Sequence, residues 1–466
     1  MAVNPMSRPL SILQVSPSDT GGGAERSALT LCEMYRQMGH ESWLAVGAKS
    51  DDSAHVFEVP NDGSRNAWVR WWSESLARHD AGAKKVRGAG RAMRALRDLG
   101  QLHRVVRGEL GIDDFDYPAT RDLLQLPPSP PDVVHVHNLH GGYFDLRELA
   151  TLSHQVPTIL SLHDAWLASG HCAFSLDCER WTIGCGQCPD LSLYPAVKRD
   201  ATAHNHRVKR DIMRKSRLCV TTPSQWLMDR IERSLVAPAI HESRVIPNGI
   251  DTTVFSPGDR DAARATLGIP GNARVLLTVA RDIATNPWKD FATLRATVAK
   301  VTQEALLLVI GDDRPPEQIG RVQVKYIAFE HDPQALVRYY RAADIYVHAA
   351  KVESFGNVML EARACATPVV ATSTGGIPEH VRGLAWPGAP QDQHSFEPAE
   401  ATGVLTPVAD SDAMAAAIDL LLRTPDLRAQ LGDTGMHDVR SRFSLQLQAT
   451  RFLDWYRELC PESRKP

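Results

Sequence analysis

Two glutamates, Glu353 and Glu361, bracket the stretch "ESFGNVMLE", eight positions apart around a Ser-Phe-Gly-Asn turn. The apolar run "DIYVHAA" (344–350) ends just before them and reads as a strand. Ser354 is then expected to cap a helix carrying "NVMLEARACA", with Glu353 in the loop and Glu361 about two turns into the helix. Eight helical residues span about 12 Å. That is too far for a close acid/base pair, but it suits two hydroxyl-bearing ends of one extended ligand. Between them the amides of Phe355, Gly356 and Asn357 sit at an expected helix N-terminus, where unpaired N–H groups and the helix dipole favour an anion. Gly356 lets that backbone approach closely. The pattern asks for a sugar at one end, a phosphate in the middle and a ribose at the other. The plainer alternative is an amphipathic helix with a solvated Glu361.

Other candidates fall at the ends of apolar runs. Gly21, Gly22 and Gly23 follow "LSILQVS" (10–16) and precede the helical pattern "AERSALTLCEMYRQMG", where a tight turn exposes amides to a ligand. They do not form the G-x-G-x-x-G dinucleotide pattern, and a ligand-free turn is the alternative. Arg281 and Lys289 follow "RVLLTVA" (274–280), where their charges could offset a diphosphate; for Lys289 a surface lysine beside Trp288 is the alternative. His163 ends "TILSLHD" (158–164), and taken alone it reads as a satisfied core histidine. Cys172, Cys178, Cys185 and Cys188 crowd into "GHCAFSLDCERWTIGCGQCP". The closing C-x2-C is a common zinc spacing and four thiolates suffice for a closed structural site, although the C-x5-C start departs from the usual double knuckle. A redox-labile disulfide pair and unliganded thiols are the alternatives.

These residues need a frame. Fully apolar runs such as "DVVHVHN" (132–138), "RLCVTTP" (217–223), "ALLLVIGD" (305–312) and "PVVAT" (368–372) alternate with helical patterns, which argues for parallel sheets covered on both faces. A chain of 466 residues exceeds one ordinary domain, and "VIPNGIDTTVFSPGD" (245–259) is a Pro/Gly/Asn-rich break. The expectation is α/β: a Rossmann-like domain over 1–240, a second over 241–440, and a final amphipathic helix within 441–466. Ligands in such sheets sit at the carboxyl ends of strands. Residues 65–125 break the rhythm as a helical insertion; from Arg78 to Arg107 nine Lys/Arg face two Asp/Glu. That stretch is either a solvated face or a basic, Trp-bearing surface for a phosphorylated or membrane-bound substrate.

The net charge, 52 − 55 = −3, excludes a general polyanion binder, so no nucleic-acid partner is expected. There is no run of 18 apolar residues to span a membrane, and "MAVNPMSRPLSILQVSP" lacks a signal-peptide core. The reading is cytoplasmic, which disfavours disulfides.

"ESFGNVMLEARACATPVVATSTGGIPE" resembles the E-x7-E signature of retaining glycosyltransferases of the GT-B fold, family 4. "SPSDTGGGAERSALTL", "TILSLHDAW", "VIPNGIDTTVF" and "TVARDIATNPWKD" are similar to that family's glycine-rich loop, His-bearing strand, interdomain crossing and Arg/Lys phosphate clamp, so the likeness covers most of the chain. The family spaces its Arg and Lys more tightly than Arg281 and Lys289. The resemblance implies two doubly wound domains facing across a cleft, with the glycine loop (Gly22, Gly23) turned towards it and the last helix crossing back onto the first domain. It implies transfer of a sugar from a nucleotide diphosphate sugar to a glycan or lipid-linked glycan, as in bacterial exopolysaccharide synthesis, at the inner face of the membrane. By the same likeness His163 contacts the transferred sugar, oriented by Asp164. Glu353 holds sugar hydroxyls, Glu361 the ribose, and Arg281 and Lys289 the leaving nucleotide, with no metal cofactor in catalysis. Gly375 and Gly376 pack beneath the sugar or phosphate, Asn248 shapes the hinge, and any zinc at the four cysteines braces the loop after His163. Two readings keep the fold and change the role: a sugar-nucleotide epimerase, and a non-catalytic nucleotide-sugar-binding protein.

Overall fold

The computed structural model describes residues 8–50, 52–81, 88–391 and 394–460. The chain divides into two units: one comprises residues 1–222, 228–245 and 453–466, the other 223–227 and 246–452.

The first unit is built on Ser11–Ser18 (β1), Glu41–Ala48 (β2), Val56–Glu58 (β3), Val133–His137 (β4), Thr158–Ser161 (β5), Leu218–Thr222 (β6) and Ile240–Val245 (β7). They form one parallel sheet in the order β3-β2-β1-β4-β5-β6-β7. The second unit has Val275–Val279 (β8), Ala305–Ile310 (β9), Glu317–Ile319 (β10), Val322–Ile327 (β11), Ile345–His348 (β12), Val369–Thr372 (β13) and Gly403–Thr406 (β14). Their order is β10-β11-β9-β8-β12-β13-β14, parallel except for the antiparallel edge pair β10–β11. Every residue of β4, β6, β8, β12 and β13 is buried, as expected of strands covered by helices on both faces.

In each sheet the chain builds outward on one side of its first strand and then returns to the other. The strand order therefore reverses between β1 and β4, and again between β8 and β12, which is where a doubly wound sheet opens a crevice at its carboxyl ends. The segments that leave these ends carry Gly21–Gly23, His140, His163, Arg281, Lys289 and Glu353.

The insertion forms helices Ala67–Ala81, Ala89–Leu99 and Leu102–Glu109, and the last two bury no residue. Trp68, Trp71, Leu99, Leu102 and Val106 are each about half exposed. Its basic residues Lys84, Lys85 and Arg87 lie outside the described residues. The final helix, Leu445–Leu459, brings buried Trp455 and Tyr456 to the first unit. Among the described residues no helix is long and apolar enough to cross a membrane.

One buried carboxylate pins the central strands of the second unit. Asp344, just before β12, accepts the Val275 N–H of β8 at 2.8 Å, and its own N–H returns to the Val275 carbonyl. The same carboxylate meets Arg264 at 2.9 Å and Arg260 at 3.2 Å, and Arg264 is itself buried. Removing one partner of a buried ion pair typically costs about 3–5 kcal/mol, because the other charge is left enclosed. Asp344→Ala is expected to lower the unfolding free energy of the second unit, read from denaturant titration, by that amount, whereas Arg260→Ala at the exposed rim should change it by less than about 1 kcal/mol.

Candidate active site

Glu353 stands three residues beyond the Ala350 that ends the apolar run, in a loop whose backbone is gripped by glycines. Gly375 has φ +58°, and a Cβ there would sit 1.9 Å from the Glu353 carbonyl oxygen. A Cβ on Gly376 would come within 2.1 Å of the Ser354 carbonyl, and the Gly376 N–H donates to the Glu353 carbonyl at 2.9 Å. The double glycine thus fits the backbone of Glu353 and Ser354 and sets where the carboxylate points. That carboxylate is ion-paired with the Lys289 ammonium and lies 3.4 Å from His348 Nε2. Burial alone would raise the Glu353 pKa; Lys289 and His348 overcome it and hold the carboxyl well below its usual range. Glu353 is ionised at neutral pH.

Ser354 is not the cap. The helix spans Asn357–Ala364 and its N-cap is Gly356, in the left-handed region at φ +86°. A Cβ on Gly356 would meet Met359 at 2.3 Å and Glu353 Cγ at 3.2 Å. Phe355 turns inward against His380 and Phe443, and the His380 Nε2–H donates to its carbonyl at 2.6 Å. The Asn357 side chain accepts from Asn248 at 2.9 Å, so Asn248 braces the start of this helix. Glu361 is not the solvated helix residue of the plainer reading: it is 4% exposed and accepts the Tyr340 hydroxyl at 2.7 Å.

Arg281 and Lys289 lie on one loop but differ in state. The loop is fixed by the Asp282 N–H donating to the Gly311 carbonyl at 2.8 Å, and a Cβ on Gly311 (φ +108°) would meet the Ala280 carbonyl at 2.2 Å. Lys289 is engaged by Glu353. Arg281 is exposed, stacks over Phe329 with 4.5 Å to the ring centroid, and has no ion pair among the described residues. Of the two, Arg281 is the cation whose charge is not already matched.

In the first unit, Gly22 caps the helix Gly23–Gln37 and Gly21 adopts φ +149°. The Glu25 carboxylate lies beside Gly21 and Gly22, within 3.4 Å of the Cβ either would carry. His163 donates its backbone N–H to Asn138 Oδ1 at 3.3 Å, and its ring bonds His137 at 3.2 Å. Asp164 does not orient His163. Its carboxylate bonds His140 Nε2 at 2.8 Å and accepts the Trp166 N–H at 2.8 Å. Burial would lower the His140 pKa, yet Asp164 and Glu25 raise it above the ordinary imidazole value. Nothing in the sequence beyond a histidine two residues after "HVHN" signalled His140, because its partner is 24 residues away.

Cys172, Cys178, Cys185 and Cys188 line one small pocket together with His171 and buried Trp181, and none is in a disulfide. The Gly170 N–H donates to Cys185 sulfur at 3.3 Å, and His171 Nε2 lies 3.3 Å from Cys188 sulfur. Burial raises the thiol pKa of Cys172, Cys185 and Cys188. Among the described residues no group of three or more His, Cys, Asp or Glu side chains is arranged as it stands to hold a metal ion.

Comparison with known proteins agrees with this architecture. Solved structures of the same two-sheet GT-B type include HepE from Anabaena in complex with UDP and glucose (TM-score 0.60, 18% identity, 96% of this chain and 99% of that one) and sucrose-phosphate synthase from Thermosynechococcus elongatus (TM-score 0.60, 19% identity, 96% and 99%). The fold is that of a GT-B glycosyltransferase. Residues 21–254 match the family model "Glycosyltransferase Family 4" and residues 273–424 match "Glycosyl transferases group 1". The chain belongs to glycosyltransferase family 4. Curated relatives include a D-inositol 3-phosphate glycosyltransferase of Saccharomonospora viridis, 34% identical over 46% of this chain and 50% of that protein. Another is the putative colanic acid biosynthesis glycosyl transferase WcaC of Escherichia coli, 28% identical over 53% and 62%. The matches therefore span about half to three-fifths of those relatives' lengths.

The Asp164–His140 pair has a direct spectroscopic signature. In Asp164→Asn the burial penalty on the His140 cation loses its main counterweight, so the imidazole pKa should fall below that of the wild type. Histidine-selective NMR titration checks this; an unchanged His140 pKa would refute the pairing.

Proposed function

We propose that the protein transfers a hexosyl group, with retention of anomeric configuration, from a nucleotide diphosphate sugar to a glycan or lipid-linked glycan acceptor. The observation that carries this reading is the ionised Glu353, locked to Lys289 and seated on Gly375–Gly376 at the carboxyl end of β12. An ionised carboxylate that is partly enclosed is a strong acceptor for sugar hydroxyls. Arg281 supplies positive charge for the departing diphosphate, assisted by the amides at Gly356 and Asn357, and Glu361 with Tyr340 takes the ribose side. In the transfer step the acceptor oxygen bonds to the anomeric carbon on the face the nucleotide leaves. The bond from that carbon to the phosphate oxygen breaks, and the acceptor proton passes to the departing phosphate. The protein contributes positioning and charge stabilisation, with no metal in the step. In the first unit Gly22, Gly23 and His163 serve the sugar. The exposed Trp68, Trp71, Leu99, Leu102 and Val106 support contact with the cytoplasmic membrane face where a lipid-linked acceptor resides.

Glu361→Gln, which keeps an acceptor for the Tyr340 hydroxyl, and Arg281→Ala are each expected to lower transfer at least tenfold while the thermal midpoint stays near that of the wild type. A panel of nucleotide diphosphate sugars should identify the donor by thermal stabilisation, near 2.7 kcal/mol at about 100 times its dissociation constant. Donor turnover without any acceptor, giving an epimerised sugar, would establish the epimerase reading; binding with neither hydrolysis nor transfer would establish the non-catalytic one. Activity abolished by EDTA and restored by Mn²⁺ would refute metal independence.

We also propose that Cys172, Cys178, Cys185 and Cys188 close on one structural zinc that braces the loop after His163. Support comes from the shared pocket and the closing C-x2-C. Their thiols would have to lose their protons and draw inward to do so. Protein purified without metal-affinity resin should contain about one zinc per chain, and Cys185→Ser should lose metal and stability together. Metal-free protein with four titratable thiols and full stability would end this assignment.

A further inference from the structure

His135 and His137 alternate with valines along β4, and both are fully buried. An imidazole enclosed in a sheet needs a partner at each ring nitrogen. His135 has the Tyr456 hydroxyl at Nδ1 and Ser161 Oγ at Nε2, each at 2.6 Å. His137 stacks on His135 with ring centroids 4.2 Å apart. Its Nε2 lies 2.6 Å from Gln14 Oε1 on β1, and its Nδ1 lies 3.2 Å from His163 Nε2. The rings of His137 and His163 are nearly parallel, at 17°. Burial holds all three imidazoles neutral at physiological pH, with His135 down at about 3 and His163 at about 4.

A neutral imidazole carries one N–H and one lone pair, so fixing the polarity at one end of a chain fixes the rest. Gln14 is placed with Oε1 towards His137 and with its buried Nε2 making no hydrogen bond among the described residues. Its Oε1 can only accept, so the proton of His137 resides on Nε2. His137 Nδ1 is then a lone pair, and it accepts from His163 Nε2–H. No described group bonds His163 Nδ1.

We propose that Gln14 is a positioning residue: acting through His137, it fixes His163 with its proton on Nε2 and a bare lone pair on Nδ1, which accepts a hydroxyl of the transferred sugar. The hydroxyl contact rests on the function proposed above; the tautomer does not. A hydrogen-bond acceptor at this position discriminates against a donor sugar lacking that hydroxyl, since an unpaired polar group would be left enclosed.

Histidine-selective 15N NMR of the full chain at neutral pH reads the tautomer directly. The wild type should show His163 with a protonated Nε2 and an unprotonated Nδ1. Gln14→Met keeps the side-chain length and removes the acceptor, so His163 should become a mixture of tautomers; Gln14→Glu restores an acceptor and should restore the wild-type pattern. The KM for the donor sugar should rise several-fold in Gln14→Met, while the Kd for the nucleotide alone stays unchanged. A wild-type spectrum with the proton on Nδ1 overturns the proposal without any variant having to fold. A wild-type tautomer retained in Gln14→Met also overturns it. A shifted tautomer with an unchanged KM would leave Gln14 in its role and remove His163 from the sugar site.

Discussion

Ionising a carboxylate inside a protein requires a neighbouring cation that outweighs the loss of water, and at the end of β12 this requirement organises the second unit. Burial pushes the Glu353 carboxyl towards its neutral form; the Lys289 ammonium and the nearby His348 reverse that. For the pair to meet, two loops must reach each other. The loop after β8 is tied down by Asp282 against the Gly311 carbonyl, and the loop after β12 is held by a double glycine whose missing side chains let two backbones touch. At Gly375 any Cβ would overlap the Glu353 carbonyl. The positions of Lys289, Glu353, Gly375 and Gly311 are therefore one arrangement rather than four separate features.

The sheet supplies the rigidity behind that arrangement. β8 and β12 are neighbours, and their first residues are joined through Asp344, whose carboxylate also gathers Arg264 and Arg260. The Asp344 charge is at the amino ends of the strands and the Lys289–Glu353 pair is beyond the carboxyl ends. Short, wholly buried strands between the two leave little freedom for one end to shift independently of the other. A close-packed parallel sheet therefore serves as the ruler for the loops that leave it.

Much of this was legible in the sequence, for physical reasons that also explain the gaps. Strands buried on both faces are runs of apolar residues, so β1, β4, β5, β6, β8, β9, β12 and β13 stood out. β2 and β7 carry polar residues, β3 and β10 have three residues each, and β11 alternates, so none looked like the others. Glu353, Glu361 and the double glycine were visible because they are close in sequence. Ser354 does not cap the helix because the loop uses Gly356 in a left-handed conformation, and no local propensity at Ser354 signals that. Adjacency in the chain points Asp164 to His163, whereas its partner is His140, brought in by the next strand of the sheet. Long-range pairing of this kind has no local signature.

The histidines of the first unit show what a buried strand can do with polar residues. His140, near the rim, gains a carboxylate and tends towards its charged form; His135 and His137, within the sheet, meet only neutral partners and are held uncharged. Charge is thereby kept at the rim, while the interior carries hydrogen-bond polarity alone. Such a neutral chain is stable only when each nitrogen finds a partner. In β4 these partners come from four elements: Gln14 on β1, Ser161 on β5, His163 just beyond β5, and Tyr456 on the final helix. Tyr456 reaches Tyr35 as well, at 3.3 Å, so the end of the chain is joined to the first helix through the same hydroxyl. Polar closure of the sheet around β4 thus depends on a residue more than three hundred positions away. That dependence gives a physical reason for the last helix to finish in the first unit, beyond the apolar area that Trp455 buries there.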